Sequence, residues 1–349
     1  MHITARRVFR LSFTMALALA CGYALQMPLP YLAPLFALML TAQPGPPLGP
    51  KGLLGLILVV LITMGVGLLL TPLLVSYAFS AVLIAAVGLY FSAYLTINKG
   101  KGLVGLLLTV GITLISAAGT VSSALAVVVI QALALSIAIA IVCQWLVYPW
   151  FPEDAPSAET ETSAPADATH ADWVALRSTL IVLPAYLLLL TNPAMYMPII
   201  VKSVSLAQQG SVMEARLAAR DLLGSTFLAG CFAILFWFAL KLNPNLWMFF
   251  LWMLLFGLYF ASKLYGLLAS RFSASYWQNV AVTMLLLLGP AVQDTANGKD
   301  VHAAFAVRMG LFIGVALYAW LAIYGLEQLR NRRLEGRCLS LQKMESPKC

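Results

Sequence analysis

The sequence predicts an all-α polytopic membrane protein with about twelve transmembrane helices, arranged as two parallel six-helix repeats. Three observations predict this fold class. Of the 349 residues, 62% are hydrophobic and only 10% are charged, and the mean hydropathy is +0.91. Apolar runs long enough to cross a bilayer recur along the whole chain. Short blocks of sequence from the first half also return in the second half.

Twelve apolar segments divide the chain. We place them at residues 8–26, 29–42, 52–71, 73–96, 102–119, 121–148, 173–191, 193–207, 221–241, 245–265, 273–292 and 301–327. Helices are predicted because backbone groups in lipid need partners within their own segment, and strands of such continuous apolar character would not form a barrel. The basic, then apolar N-terminus could pass for a signal peptide, but more apolar segments follow at once. We therefore interpret it as a retained first helix.

The predicted domain boundaries follow from these segments. They are a first six-helix repeat (1–151), a cytoplasmic linker (152–172), a second six-helix repeat (173–328) and a basic cytoplasmic tail (329–349). The linker is rich in Pro, Ala, Ser and Thr, carries several acids, and has too few apolar residues to fold.

Basic residues set the predicted orientation. Twelve crossings place both termini on one side, and assigning that side to the cytoplasm puts most of the 21 Lys and Arg residues there, including Lys99, Lys202 and Arg271. The expected location is the bacterial inner membrane, with lipid as the surrounding partner. Because the net charge of +8 is spread over short loops, we reject nucleic acid as a partner.

Four blocks of sequence recur in order. "GLYFSAYL" (88–95) returns as "GLYFASKL" (257–264), and "PKGLLG" (50–55) matches "RDLLG" (220–224) at the same offset. Upstream of these blocks the offset is four residues smaller. There "PLPY" aligns with "PAMY", and "AQPG" (42–45) with "AQQG" (207–210). Since six is an even number, both halves share one orientation, and the axis relating them should run along the membrane normal.

The second and eighth segments are shorter than the roughly 20 residues that a crossing needs. Prolines that break the helical ladder interrupt both of them: Pro28, Pro30, Pro34, Pro193 and Pro198. Short, interrupted helices at matching places are typical of transporter binding sites, so Tyr31, Tyr196, Gln43 and Gln208 become candidate ligand contacts. A kinked packing helix without ligand contact is the alternative.

Three basic residues suggest an anionic substrate. Lys51 and Arg220 should begin the third and ninth helices at equivalent places, where helix N-terminal N–H groups also favour a carboxylate. Positive-inside anchoring is the alternative for both. Arg308 lies within the twelfth segment, where an ionisable group is costly. Its alternative role is a structural ion pair with Asp294 or Asp300.

The repeated motif supplies aromatic candidates, which are Tyr90, Phe91, Tyr259 and Phe260. They could stack on a planar ligand or pack helices together. Candidate groups for proton coupling are few: Asp221, Glu214 and Asp294. Asp221, beside Arg220, is the first choice, although it could equally form a static ion pair.

Catalytic and metal-binding patterns are not found. The five cysteines lack metal-ligand spacing, and the three histidines are not grouped. No phosphate-binding loop motif occurs, so any energy coupling must be secondary. We therefore predict no enzyme activity, no metal and no cofactor.

At this level of detail the sequence resembles a known family. A basic N-terminus, "LPYLAP", "AQPGPP" and a basic residue before "LLGLILVVLITMGVG" together resemble the fusaric acid resistance and aromatic acid exporter family. The resemblance extends over nearly the whole chain, with departures. Lys51 is followed by "GLLGL" where that family has Arg and then Gly-Thr, Arg220 is followed by Asp221, and a short linker stands where many members have a large cytoplasmic domain. The chain is thus similar to a compact branch of the superfamily.

The resemblance implies a function. It implies a transporter that exports small organic acids, aromatic carboxylic acids among them, together with a periplasmic adaptor protein of the membrane-fusion type. A distant likeness to plant malate channels implies that the two halves form one anion pore. A passive organic-anion channel and a non-transporting membrane assembly partner are the alternatives, and self-association is left open.

Overall fold

The computed structural model describes residues 2–43, 45–100, 102–153, 168–210, 215–296 and 301–345. Within these ranges the chain forms twelve helices and no strand. Eight helices are long and apolar enough to cross a membrane, which indicates a multi-pass membrane protein. Each of the twelve predicted segments coincides with one helix.

The helices follow one another with short connections. They are α1 (Ile3–Ala24), α2 (Leu32–Ala42), α3 (Pro50–Ser76), α4 (Ala78–Asn98), α5 (Gly102–Val121), α6 (Ser123–Val147), α7 (Ala168–Thr191), α8 (Pro193–Gly210), α9 (Ala215–Leu242), α10 (Leu246–Leu264), α11 (Ala274–Ala296) and α12 (Val301–Glu345). Within α5, residues Gly111–Ile115 form a π-helical turn.

Several helix bounds differ from the predictions, and three of them extend helices into a predicted linker, loop or tail. Helix α7 starts at Ala168, so the last residues of the predicted linker are helical. Helix α9 starts at Ala215 and so includes residues 215–220, because this Ala-, Leu- and Arg-containing stretch has high helix propensity. The backbone of α12 continues to Glu345, through most of the predicted tail.

Local sequence explains several helix ends. Ser122 caps α6, its Oγ accepting from the Leu125 N–H at 3.0 Å, and Asn245 caps α10 by accepting from the Met248 N–H at 2.7 Å. Gly100 (φ 63°) and Gly266 (φ 72°) follow the ends of α4 and α10 in the left-handed conformation. Both helices that carry the repeated motif are therefore followed by a left-handed glycine.

Neighbouring helices pack within and between the halves α1–α6 and α7–α12. Helix α1 packs on α2 and α6, and it crosses to α10 of the second half. Helix α7 packs on α8 and α12, and it crosses to α4 of the first half. Helices α2, α5, α8 and α11 meet in the interior, while α3, α4 and α9 carry many of the exposed large apolar side chains.

The bundle has two ends, which we call the N-terminal face and the opposite face. At the N-terminal face, Arg6 Nη1 donates to Pro152 O at 3.2 Å, and Trp145 Nε1 donates to Leu48 O at 2.6 Å. At the opposite face, Gln293 Nε2 donates to Pro28 O at 2.9 Å.

Candidate functional site

A hydrogen-bonded polar cluster lies buried among α8, α9 and α11. Lys202 of α8 has 0% of its surface exposed, and its Nζ donates to Asn279 Oδ1 at 2.9 Å and to Thr283 Oγ1 at 2.5 Å. Asn279 Nδ2 in turn donates to Ser225 Oγ on α9. We call these four residues the Lys202 cluster. An ionisable group buried between membrane helices is costly and marks a candidate functional site.

The charge of Lys202 is not balanced by a neighbouring carboxylate in the part of the chain that the structure describes. Among the described residues, no carboxylate forms an ion pair with its ammonium group. Its two hydrogen-bonding partners are neutral oxygens, and an ammonium group carries three donors. The third donor therefore remains for a ligand, and no described residue supplies the countercharge. An anion would accept from this donor and also balance the positive charge.

Two positions that match the cluster in the first half are apolar. At the offset that aligns the two "AQ" blocks, Lys202 corresponds to Ala37, and at the offset of the "LLG" blocks, Ser225 corresponds to Leu56. Both of these residues are buried. At these two positions the first half therefore has no counterpart of Lys202 or Ser225.

The centre of the bundle lies next to the cluster and is apolar. Val201 and Val204 of α8 and Val282 of α11 line a narrow cavity together with apolar side chains of α2 and α5. The cavity measures about 30 Å³, close to the volume that one water molecule occupies.

A second charged site lies at the opposite face. Arg308 Nη1 of α12 is 2.6 Å from Asp294 Oδ2 of α11, so the predicted alternative of a pair with Asp294 is present. Nearby, Tyr31 packs directly on Gly289, where an added Cβ would overlap the Tyr31 ring. Tyr31 is 7% exposed and Tyr196 is half-buried.

Two arginine–glutamate sites lie at the N-terminal face. Glu153 accepts from Arg7 and lies 2.7 Å from Arg10, which is 1% exposed. Burial raises the pKa of Glu153, but hydrogen bonds from Arg7 and Arg10 outweigh this and hold the pKa below its ordinary value. In the second half, Arg177 of α7 lies 3.4 Å from Glu327 of α12. In each half, an arginine of the first helix therefore lies close to a glutamate that is in the sixth helix or just after it.

The other predicted ligand contacts are spread over the bundle. Lys51 and Gln43 are exposed near the N-terminal face. Phe91 is 55% exposed and Tyr259 is 38% exposed, whereas Phe260 is 3% exposed and packs among aromatic rings. Tyr90 donates to Asp172 at 3.2 Å. The structure does not bring these residues together around one cavity.

Several predicted residues have other outcomes. Arg220 lies inside α9 and not at its start, contrary to the prediction, and its side chain lies outside the described residues, as do those of Gln208 and Pro198. Glu214 lies outside the described residues altogether. Asp221 is buried and accepts from Ser273 Oγ at 3.3 Å.

The proline-containing helices α2 and α8 lie in the interior of the bundle. Pro30, Pro34 and Pro193 are buried, whereas Pro28 is exposed at the α1–α2 connection. Helix α2 has only 11 residues, and residues 32–38 are all buried. Helix α8 is longer, with 18 residues.

The Lys202 cluster was missed because Lys202 was counted among the loop cations. The structure corrects this assignment, since Lys202 lies within α8 on the side that meets α11. One signal was available in the sequence. Asn279 and Thr283 are four residues apart in an apolar run and so share one helix face.

Comparison with known proteins adds one match. Residues 7–147, which cover almost all of α1–α6, match a family model described as "Protein of unknown function (DUF2955)". No curated protein and no solved structure matches the chain. The function must therefore be argued from the site.

Proposed function

We propose that the chain is a secondary transporter of the bacterial inner membrane that exports small organic acids, aromatic carboxylic acids among them. The observation that carries this proposal is Lys202, a fully buried lysine with neutral hydrogen-bonding partners inside a membrane-type helical bundle. A carboxylate has the charge and the acceptor oxygens that this ammonium group can use.

The energetics of Lys202 favour a charged cargo. A buried charge without a partner costs several kcal/mol, and an opposite charge within contact distance offsets much of that cost. A carboxylate that reaches Nζ is therefore favoured at this point of the path over its neutral amide analogue. Asn279 and Thr283 hold the ammonium group in place, so little ordering is needed when the ligand arrives.

The helix neighbours support a two-repeat transporter. The crossing of α1 to α10 has a counterpart in the crossing of α7 to α4 under the proposed repeat. The packing of α1 on α2 and α6 likewise has a counterpart in that of α7 on α8 and α12. A pseudo-twofold axis along the membrane normal would explain this pairing, with α2, α5, α8 and α11 at the central interface between the halves.

The proposed transport cycle opens this central interface. Because Lys202 has no exposed surface and the centre is apolar and narrow, cargo reaches the cluster only when α8 moves relative to its neighbours. The bias of Lys and Arg supports assigning the N-terminal face and both termini to the cytoplasm. The resemblance to aromatic acid exporters supports a periplasmic adaptor at the opposite face, where Arg308 and Asp294 lie.

Uptake into liposomes tests this function. Purified protein is reconstituted, and accumulation of radiolabelled benzoate is followed under an imposed proton gradient. We expect uptake by the wild type and background uptake by Lys202→Met, which retains side-chain length but removes the charge. Lys241→Met is the matched control, since Lys241 lies over the Trp237 ring, away from the cluster, and should transport normally.

Other outcomes would replace the proposal. Benzoate that only equilibrates across the membrane, unaffected by the gradient, would favour a passive anion channel. No uptake of benzoate or other organic anions by well-folded protein would contradict transport and favour an assembly partner.

A further inference from the structure

The two halves meet along two seams, and the seams differ. One seam is α1 against α10, and the other is α4 against α7. Under the proposed repeat they occupy equivalent places. Any difference between them therefore reflects the side chains and not the helix arrangement.

The α1–α10 seam is tightly closed. A Cβ added at Gly257 of α10 would lie 3.3 Å from Ser12 Cα of α1, so the two backbones are in close contact. At the N-terminal face the Tyr265 hydroxyl reaches into this region, with Thr41 O at 3.1 Å and Ala42 O at 3.0 Å. Tyr265 thereby joins the end of α10 to the end of α2.

The α4–α7 seam is looser. Gly88, which corresponds to Gly257, meets the Ile112 side chain of α5 at 2.8 Å and no atom of α7. Thr96 stands where the other seam has Tyr265. A half-open pocket lies here, lined by apolar Leu89, Val182 and Val204 and by hydroxyl groups of α4, α5 and α7.

The chemistry of this pocket suits an amphipathic acid. The hydroxyl groups of Thr96, Thr109, Ser178 and Thr179 each donate to a backbone carbonyl, and their oxygens can still accept a hydrogen bond. Ser178 donates to Ala207 O at 3.3 Å and so joins α7 to α8 within the pocket. The apolar walls would contact the body of the molecule, and a hydroxyl that turns away from its backbone carbonyl would donate to the carboxylate.

Val204 connects the pocket to the bundle centre. Its side chain lines both the α4–α7 pocket and the central apolar cavity. Lys202 lies two residues earlier on the same helix. A movement of α8 that displaces Val204 would therefore open the pocket inward and shift Lys202 at the same time.

We propose that the α4–α7 pocket is the port through which small organic carboxylates enter from the N-terminal face, and that Tyr265 keeps the equivalent α1–α10 place closed. The proposal rests on the proposed transport function. It makes the two seams unequal, with entry on one side of the molecule and structural contact on the other. The pocket measures about 30 Å³, so cargo enters as α4 and α7 separate.

The decisive variant introduces into one seam the residue found at the equivalent position of the other. Thr96→Tyr places in the α4–α7 seam the residue found at the closed seam, and we expect benzoate uptake to fall to that of protein-free liposomes. Tyr265→Thr is the reciprocal variant and should retain uptake, because that side is not the port.

A labelling experiment covers the case in which Thr96→Tyr does not fold. Thr96→Cys and Tyr265→Cys are each treated with a thiol reagent, and modification at each site is read by mass spectrometry with and without benzoate. We expect benzoate to slow modification at position 96 and not at position 265. Equal protection at both positions, or at neither, would overturn the port.

The outcomes separate the two proposals. If folded Thr96→Tyr transports like wild type while Lys202→Met does not, the port is wrong and the transport function stands. If the wild type itself takes up no organic anion, the transport function fails, and any protection at position 96 is then binding without transport.

Discussion

The helix pairs α3–α5 and α9–α11, equivalent under the proposed repeat, are held together by different means. In α3–α5 the backbones nearly touch, since a Cβ added at Gly67 would overlap Gly111 O. In α9–α11 the contact is polar, through Ser225, Asn279 and the lysine of α8. Small residues and buried hydrogen bonds are the two common ways to join helices in lipid. Of the two contacts, the polar one also includes the buried Lys202 on which the proposed function rests.

The largest expected effect comes from filling the α3–α5 contact. Gly67→Leu would force a side chain into backbone atoms of α5, which cannot rotate away, and should cost about 3 kcal/mol or more. We expect little monodisperse protein in size-exclusion chromatography after detergent extraction. Gly65→Leu is the control on the same helix, because nothing lies within 4 Å of an added Cβ there. Normal elution of Gly67→Leu would show that the close approach is incorrect.

The repeated "GLYF" motif offers the next comparison. Phe260 is 3% exposed, and its ring centroid lies 5.1 Å from that of Phe232, whereas Phe91, at the matching position, is 55% exposed. Phe260→Ala should lower the free energy of unfolding by about 2–3 kcal/mol, because it leaves a cavity among packed rings. Phe91→Ala should change it by less than about 1 kcal/mol. Thermal unfolding in detergent measures both, and equal losses would mean that the two copies pack alike.

The arginine–glutamate sites give a smaller, pH-dependent effect. Since the folded-state pKa of Glu153 is lowered, its stabilisation is present above its ordinary value of 4.5 and is lost as the pH falls through the folded-state pKa. Glu153→Gln should therefore lower stability by about 2 kcal/mol at pH 7, and the difference from wild type should shrink in acid.

Glu327→Gln is the matched variant in the second half. Glu327 is 30% exposed and lies 3.4 Å from Arg177, so we expect a loss of less than about 1 kcal/mol. A pH-independent effect of Glu153→Gln would contradict the ion-pair interpretation. Thermal unfolding measured from pH 7 to pH 4 distinguishes these results.

Much of the fold could be predicted from the sequence. Hydropathy located all twelve described helices, eight of which have the length and apolar character that a bilayer imposes. The prolines around α2 predict a segment that faces protein or water, since broken helical backbone at membrane depth needs such partners, and residues 32–38 are buried. The pair of Arg308 with Asp294 was among the alternatives, because an ionisable group in a membrane segment needs a partner of opposite charge.

The candidate site was less predictable from the sequence than the fold. Whether Lys202 faces solvent or α11 depends on how α8 is rotated, and that rotation follows from packing with several neighbouring helices. Lys202 lies near a predicted helix end, where a basic residue is also typical of a loop. The sequence alone therefore did not indicate that Lys202 is buried. The predicted ligand contacts Lys51, Phe91 and Phe260 were chosen by repeat position, but repeat position does not determine which face of a helix is buried.

Equilibrium binding to purified protein tests most directly whether Lys202 recognises an anionic cargo. Benzoate and the neutral benzamide would be titrated into wild type and Lys202→Met by calorimetry, with Lys241→Met as the control. We expect wild type and the control to bind benzoate more tightly than benzamide, and Lys202→Met to lose this preference, weakening benzoate binding about tenfold or more. Equal preference for benzoate in a well-folded Lys202→Met protein would contradict the assignment of Lys202 as the anion-binding cation.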